Sequence, residues 1–204
     1  GNIRHAAIRI TGEDAHVGLP RRFRQDAALA GADLFTALDT LWAEEEAAGR
    51  PMAATIGRFH TDTTKHEITV VAGDFTLSLD LRAYDAAHLA ALEQRLHAIV
   101  AEVAMRRGVT IELGPRNAAP VGPCDPALQR GLADAAARAG IATMPLGSPA
   151  SHDAANFAAA GIPTGLLLIR NAHGSHNPRE AMELPDLMAA AATFAEWLRT
   201  EAAA

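Results

Sequence analysis

The sequence predicts an α/β chain in two parts, an antiparallel sheet with two helices on one face, then the C-terminal part of a doubly wound α/β layer. Three observations lead there. Strand and helix patterns in the first half run in the order β-α-β-β-β-α-β. From Phe75 to Arg82 the alternation is strict: Phe75, Leu77, Leu79 and Leu81 point one way, and Thr76, Ser78, Asp80 and Arg82 the other. That is the period of a sheet with one buried face and one polar face. After Pro126 the pattern becomes αβαβα, and its 165–169 run, Gly-Leu-Leu-Leu-Ile, is continuously apolar, as in a strand covered on both faces.

Taken in order, Ile8 and Ile10 alternate with polar neighbours, which predicts a strand over 4–12, and Gly12 to Pro20 reads as a loop. Leu34, Leu38, Leu41 and Trp42 fall at helical spacing after Asp26, and Gly49-Arg50-Pro51 ends that helix. Strands are expected at 52–61, 67–72 and 74–83, the last two broken near Gly73. Asp85 is placed to cap a helix whose apolar face is Leu89, Leu92, Leu96, Ile99, Val100 and Val103, and Gly108 ends it. Val109, Ile111 and Leu113 make a closing strand. Residues 114–126, rich in Pro, Gly and Ala, read as a connector between two domains, 1–115 and 116–204. Asp125-Pro126 then starts a helix that runs to Gly140. A short strand is expected at 141–144, a helix over 152–160, the buried strand at 165–169, and a last helix from near Pro185 that buries Leu187, Phe194, Trp197 and Leu198.

Composition narrows the function. Hydrophobic residues make up 49% of the 204, so a core is possible, but aromatics are only 4%, which implies small-residue helix packing. The formal net charge of −6, with no basic run, argues against nucleic acid as a partner. No uninterrupted apolar segment approaches the ~18 residues of a membrane span. Cys124 is the only cysteine, so no intrachain disulfide forms, which fits a reducing, cytoplasmic compartment. The chain starts without Met and runs almost at once into a strand pattern, and two or three strands do not make a doubly wound sheet alone. Both features read as a cut inside a longer protein.

Nine histidines are present. His88 and His97 lie off the apolar face of their helix and are expected to be exposed, while His5, His60 and His66 sit in or beside strands with no role indicated. Four others fall in Gly-, Pro- or Ser-rich loops at the ends of elements, where binding groups concentrate. They are His16, His152, and the pair His173 and His176 just past the buried strand, the end at which open α/β sheets bind ligands. His152 and His176 suit a metal or anion site, although a zinc or dinuclear site needs three or more protein ligands and no HxxEH or CxxC pattern completes one. Arg82, on the polar face of its strand, suits bidentate grip of a carboxylate or a plain ion pair with Asp80 or Asp85.

Three segments resemble a known family. Gly12-Glu13-Asp14-Ala15-His16-Val17-Gly18, followed by Pro20, Arg24, Asp26 and Ala27, is similar to the start of the lid (dimerisation) domain of the M20-type metallopeptidases and amidohydrolases. Ser148-Pro149-Ala150-Ser151-His152-Asp153-Ala154 and Gly174-Ser175-His176-Asn177-Pro178-Arg179-Glu180 resemble motifs of its hydantoinase/carbamoylase branch, which holds N-carbamoyl-L-amino-acid hydrolases, allantoate amidohydrolases and β-ureidopropionases. The resemblance spans essentially the whole chain, and what it lacks is the family's N-terminal half with the H-x-D ligand, the bridging Asp and the Glu-Glu pair.

The resemblance implies a lid domain followed by the C-terminal segment of a catalytic domain. It implies a homodimer formed through the lid and a small ureido or N-acyl amino acid as substrate. It also implies two divalent ions (Zn, Mn, Co or Ni) in the complete enzyme, with a bridging water of lowered pKa. On it, His176 is a metal ligand and His16 the histidine that stabilises the oxyanion in the partner's site. Arg82 binds the substrate carboxylate, also in the partner's site, with Thr69, Ser151 and His152 at the substrate. Thr69 stands where the branch often has Asn, Ala72 where it has Pro, and Ser151 where it has Gly. Two rival readings stand beside this one: a deacylase or peptidase of the same superfamily, and a non-catalytic dimerisation or ligand-binding module. Alone, the chain is expected to be inactive.

Overall fold

A computed structural model of the chain describes residues 1–202. It divides into two compact units, one of Gly1–Val121 with Ser148–Ser151, the other of Gly122–Gly147 with the residues from His152 on. The first unit contains, in chain order, β1 (Asn2–Thr11), β2 (Ala15–His16), α1 (Ala27–Ala47), β3 (Met52–Thr55), β4 (Phe59–Thr61), β5 (Val70–Val71), β6 (Asp74–Ala83), α2 (Ala86–Arg107), β7 (Thr110–Glu112) and β8 (Arg116–Ala119).

The sheet is antiparallel throughout. β6 and β1 are its centre; β3 and β4 flank β6, and β7 and β8 flank β1. Its apolar face is the one the alternation predicts. Phe75, Leu77 and Leu79 pack with Leu34 and Leu38 of α1 and with Leu96 and Val103 of α2, and a neighbouring cluster joins Leu81 to Ile3, Leu41, Met52, Leu89 and Leu92. Both helices therefore cover one face. Asp26 caps α1 by accepting from the Leu29 amide at 2.9 Å, and Asp85 caps α2 through the His88 amide at 2.8 Å. Gly108 closes α2 at φ 65°, in the left-handed region where glycine carries no Cβ penalty.

β1 keeps its buried face through a bulge. His5 lies opposite Leu79 and Ile8 opposite Leu77, so one extra residue sits in β1 between them. Ile3 and His5 point inward before it, Ile8 and Ile10 after it. A sequence reading anchored on Ile8 and Ile10 therefore leaves His5 on the wrong side.

Three expectations change. The 52–61 strand is interrupted between Thr55 and Phe59, although both pieces pair with β6. The 67–72 strand shortens to Val70–Val71 and pairs with β2 in a separate ribbon. The connector contains β8, whose Arg116–Ala119 pair with β1, so the first unit extends to Val121.

The second unit contains α3 (Pro126–Arg138), α4 (Ala154–Ala159) and α5 (Leu184–Glu201). Asp125 caps α3 through the amides of Ala127 and Leu128. α3 and α5 are joined by Arg138–Glu196 at 2.9 Å, and Phe194 stacks on Trp197. The strands expected at 141–144 and 165–169 do not form; among the described residues this unit has only an isolated bridge between Ala172 and Ala181. A ladder needs a hydrogen-bonded neighbour, and neither segment has one. Leu166 and Leu168 are accordingly 37% and 41% exposed.

Candidate functional site

His16 is set by the β2–β5 ribbon, in which it lies opposite Val70. Two contacts anchor the ribbon to the sheet: Gly12 donates to the Gly73 carbonyl at 2.7 Å, and Gly73 donates to Asp14 Oδ1 at 2.6 Å. A Cβ on Gly73 would come within 2.6 Å of the Asp14 nitrogen, so this close approach requires glycine. The Gly18 amide donates to His16 Nδ1 at 3.1 Å. Nδ1 is thus an acceptor, which leaves Nε2 as the ring nitrogen able to donate. Thr69 is beside it, for its carbonyl accepts from the Val17 amide at 2.8 Å. The ribbon therefore brings His16 and Thr69 together.

Arg82 is at the far end of β6, and its guanidinium is not free. Nε and Nη2 bind the two Asp80 oxygens at 3.0 and 2.7 Å, and Nη1 donates to the Pro149 carbonyl at 2.7 Å. Asp80 also accepts from Arg4 Nε at 2.9 Å. The two arginines hold the Asp80 carboxyl below its usual range against the opposing pull of burial, and Asp80 raises the Arg82 pKa. Asn2, opposite Arg82 on β1, donates to Ser151 Oγ at 2.5 Å. Arg82 and Ser151 are thus neighbours on the polar face. The ion-pair reading of Arg82 is the one realised here, and three of its five N–H groups are taken.

In the second unit, the loop 173–180 holds two histidines in the left-handed region, His173 at φ 66° and His176 at φ 64°. Non-glycine residues pay ~1–3 kcal/mol for such conformations and hold them only where their surroundings enforce it. The enforcing groups are Glu180 and Asn177. Glu180 accepts from Ser175 Oγ at 2.8 Å, the His176 amide at 3.1 Å and Asn171 Nδ2 at 3.2 Å. Asn177 Nδ2 donates to the carbonyls of His173 and Gly174. The Ser175 hydroxyl, chief among these donors, lowers the Glu180 pKa. His176 itself is exposed. His152 precedes α4, its carbonyl accepting the Ala155 amide at 3.0 Å. Among the described residues no group of three or more His, Cys, Asp or Glu is placed to hold a metal ion. The described residues therefore do not make a two-ion centre by themselves.

Sequence reasoning missed three things. Asn177 and Glu180 stood inside a quoted motif with no role given. Asn2 and the Pro149 carbonyl gave no signal, since backbone acceptors and pairings across a fold are invisible to spacing. His88, expected exposed, has a side chain only 14% exposed, with Nε2 2.9 Å from Glu45 Oε2. Arg50 grips the same carboxylate at 2.6 and 2.9 Å, and with His88 holds Glu45 at about 2. His97 is exposed, and His5 is buried with Nδ1 at 3.1 Å from the Leu113 carbonyl.

The family model described as peptidase family M20/M25/M40 matches residues 11–200. The chain belongs to this family. Within it, the M20 chain is 30% identical over 199 residues to the allantoate amidohydrolase of Escherichia coli (strain K12), covering 94% of this chain and 46% of that protein. It is 28% identical to a probable allantoate deiminase of Oryza sativa subsp. japonica, covering 89% and 42%. Among solved structures it resembles a hydantoinase/carbamoylase family amidase from Burkholderia ambifaria, at 29% identity and TM-score 0.78 over 97% of this chain and 46% of that one. A second such amidase, from Burkholderia multivorans, gives 26% identity and TM-score 0.81 over 96% and 47%. The M20 chain spans about half the length of the curated relatives it matches. Among the described residues no helix is long and apolar enough to cross a membrane.

Proposed function

We propose that this chain is the lid and C-terminal catalytic segment of a dinuclear-metal amidohydrolase that cleaves N-carbamoyl-L-amino acids or related ureido acids. The products are the amino acid, ammonia and carbon dioxide. The observation that carries the reading is the 173–180 loop, where Glu180 and Asn177 hold both histidines at strained backbone angles. Such enforced strain belongs to binding and catalytic loops, and likeness to the Escherichia coli allantoate amidohydrolase supports the substrate class.

In this reading His176 is a ligand of a centre of two divalent ions (zinc, manganese, cobalt or nickel) whose other ligands lie outside these residues. His16 donates Nε2–H to the oxyanion that develops on the scissile carbonyl; losing one such donor typically costs ~10²–10³ in rate. Arg82 receives the substrate carboxylate on its remaining N–H groups, with Thr69, Ser151 and His152 around the substrate. The lid pairs two copies through α1 and the β4 edge. Leu29 and Phe35 of α1 and Phe59 of β4 are 40%, 49% and 47% exposed, and Phe35 lies edge-on to Phe59 at 6.0 Å. Thr69 favours a second reading, a deacylase of the same superfamily, because one hydroxyl replaces only part of an amide's hydrogen bonding.

The test is ammonia release from N-carbamoyl-L-amino acids by the complete enzyme carrying these residues. Release that stops on chelation and on His176→Ala is expected. Turnover of N-acyl but not N-carbamoyl substrates would favour the deacylase, and no metal-dependent turnover of either would leave a binding module.

A further inference from the structure

Arg82 does not stand alone on the polar face of the sheet. Asp80 precedes it by two residues on β6, so the alternation of the strand puts both side chains on the same side. Arg4 lies directly opposite Asp80 on β1. The Asp80 carboxylate joins the two arginines. One of its oxygens accepts from Arg82 Nε at 3.0 Å; the other accepts from Arg82 Nη2 at 2.7 Å and from Arg4 Nε at 2.9 Å. The other strand partners of these three residues, Asn2, Asn117, Ala53 and Thr55, bring no further charge. Two guanidiniums against one carboxylate leave one positive charge in excess. An Asp80–Arg82 pair by itself would be aimed but neutral, and a poor receiver for an anion. A lone arginine would be charged but unordered, and fixing so long a side chain on binding typically costs roughly 2- to 10-fold in affinity. The cluster avoids both penalties.

We infer that Asp80 is a positioning residue, aiming the Arg82 guanidinium at the carboxylate of a ureido acid, and that Arg4 offsets the charge of Asp80 so that the aimed arginine still attracts an anion. This rests on the function proposed above, with Arg82 as the group that meets the carboxylate. Asp80 and Arg4 both act through Arg82, and their contributions differ in range. The two-oxygen hold of Asp80 is geometry made at contact distance, and it survives salt. Arg4 acts through space from a side chain that is 46% exposed. Its effect is screened once the Debye length falls to ~3 Å at 1 M salt.

Steady-state kinetics of the complete enzyme on an N-carbamoyl amino acid and on its amide counterpart test this, at low salt and at ~1 M salt. Asp80→Asn keeps the size of the side chain and one acceptor oxygen but loses the two-oxygen hold. At ~1 M salt it should raise KM for the acid roughly 3- to 10-fold and lower the acid-to-amide preference by the same factor. At low salt the loss should be smaller, because the same substitution leaves the arginines one charge more positive. Arg4→Gln should behave in the opposite sense, lowering the preference roughly 2- to 5-fold at low salt and hardly at all at ~1 M. A purely structural Asp80 would slow both substrates alike. An acid-to-amide preference unchanged by Asp80→Asn at high salt, or an Arg4→Gln loss that does not shrink with salt, overturns the inference. If circular dichroism shows that Asp80→Asn does not fold, Arg4→Gln decides at its exposed site, and an unchanged preference at low salt overturns the inference. A wild type that hydrolyses no ureido acid, or an Arg82→Ala enzyme with wild-type preference, defeats the proposed function and its Arg82 assignment instead.

Discussion

At the residue scale, Arg82 is held from two sides. Its fork is shared between Asp80 and a backbone carbonyl, so the geometry of the guanidinium matters as well as its charge. In the complete enzyme, Arg82→Ala is expected to lower kcat/KM for an N-carbamoyl amino acid by roughly 10- to 150-fold, the worth of a charged hydrogen bond of ~1.5–3 kcal/mol. Arg82→Lys should lower it less, since the charge survives but the planar fork does not. The matching amide substrate should be far less affected; an unchanged acid-to-amide preference would reduce Arg82 to a structural ion pair. His5 and Glu45 both contribute to the loss of stability in acid. Burial pushes His5 below its ordinary 6.5, so the unfolded chain takes up a proton first as the pH falls through 6.5, and stability declines from there downward. Glu45, held at about 2 against an ordinary 4.5, contributes fully above 4.5 and loses that contribution as the pH falls towards 2. Denaturant midpoints measured from about pH 7 to pH 3 should fall in two stages, the first flattened by His5→Gln and the second by Glu45→Gln.

At the scale of elements, the sheet's stability rests on the face shared by both helices. Leu79 is 2% exposed between the two helices, and Leu79→Ala should cost about 2–5 kcal/mol in chemical denaturation. A loss below ~1 kcal/mol would mean the helices do not pack on that face. Strict alternation made this face legible from sequence, as the capping aspartates made the helix starts legible. The bulge in β1 was not legible, because one extra residue reverses which side chains point inward without altering composition, and it put His5 in the core. The segments 141–144 and 165–169 misled for another reason. Their apolar runs record an intention to be covered, while a strand also needs a bonded neighbour, and the second unit supplies none. Of the candidate site, motifs drew attention to the loop histidines, whereas the Glu180 and Asn177 contacts around them and the Pro149 carbonyl emerged only from the folded geometry. Under the proposed pairing of copies, α1 carries its own consequence. A charge at Phe35 or Phe59 should disrupt pairing of copies, so Phe35→Asp is expected to shift sedimentation towards monomer, and an unaltered dimer would place the interface elsewhere.

At the scale of the whole molecule, the chain holds candidate recognition groups and one candidate metal ligand, His176, but among its described residues no group of three or more His, Cys, Asp or Glu that could hold a metal ion. It spans about half the length of its curated relatives. Under the proposed function this chain supplies parts that orient substrate and stabilise charge, and the remaining metal ligands come from sequence outside it. The direct measurement is to supply the purified 204-residue chain with zinc or manganese and follow ammonia release from an N-carbamoyl-L-amino acid. No turnover above the metal-only blank is expected. Turnover that rises with chain concentration and disappears on chelation would contradict it, because these residues alone would then contain a working metal site.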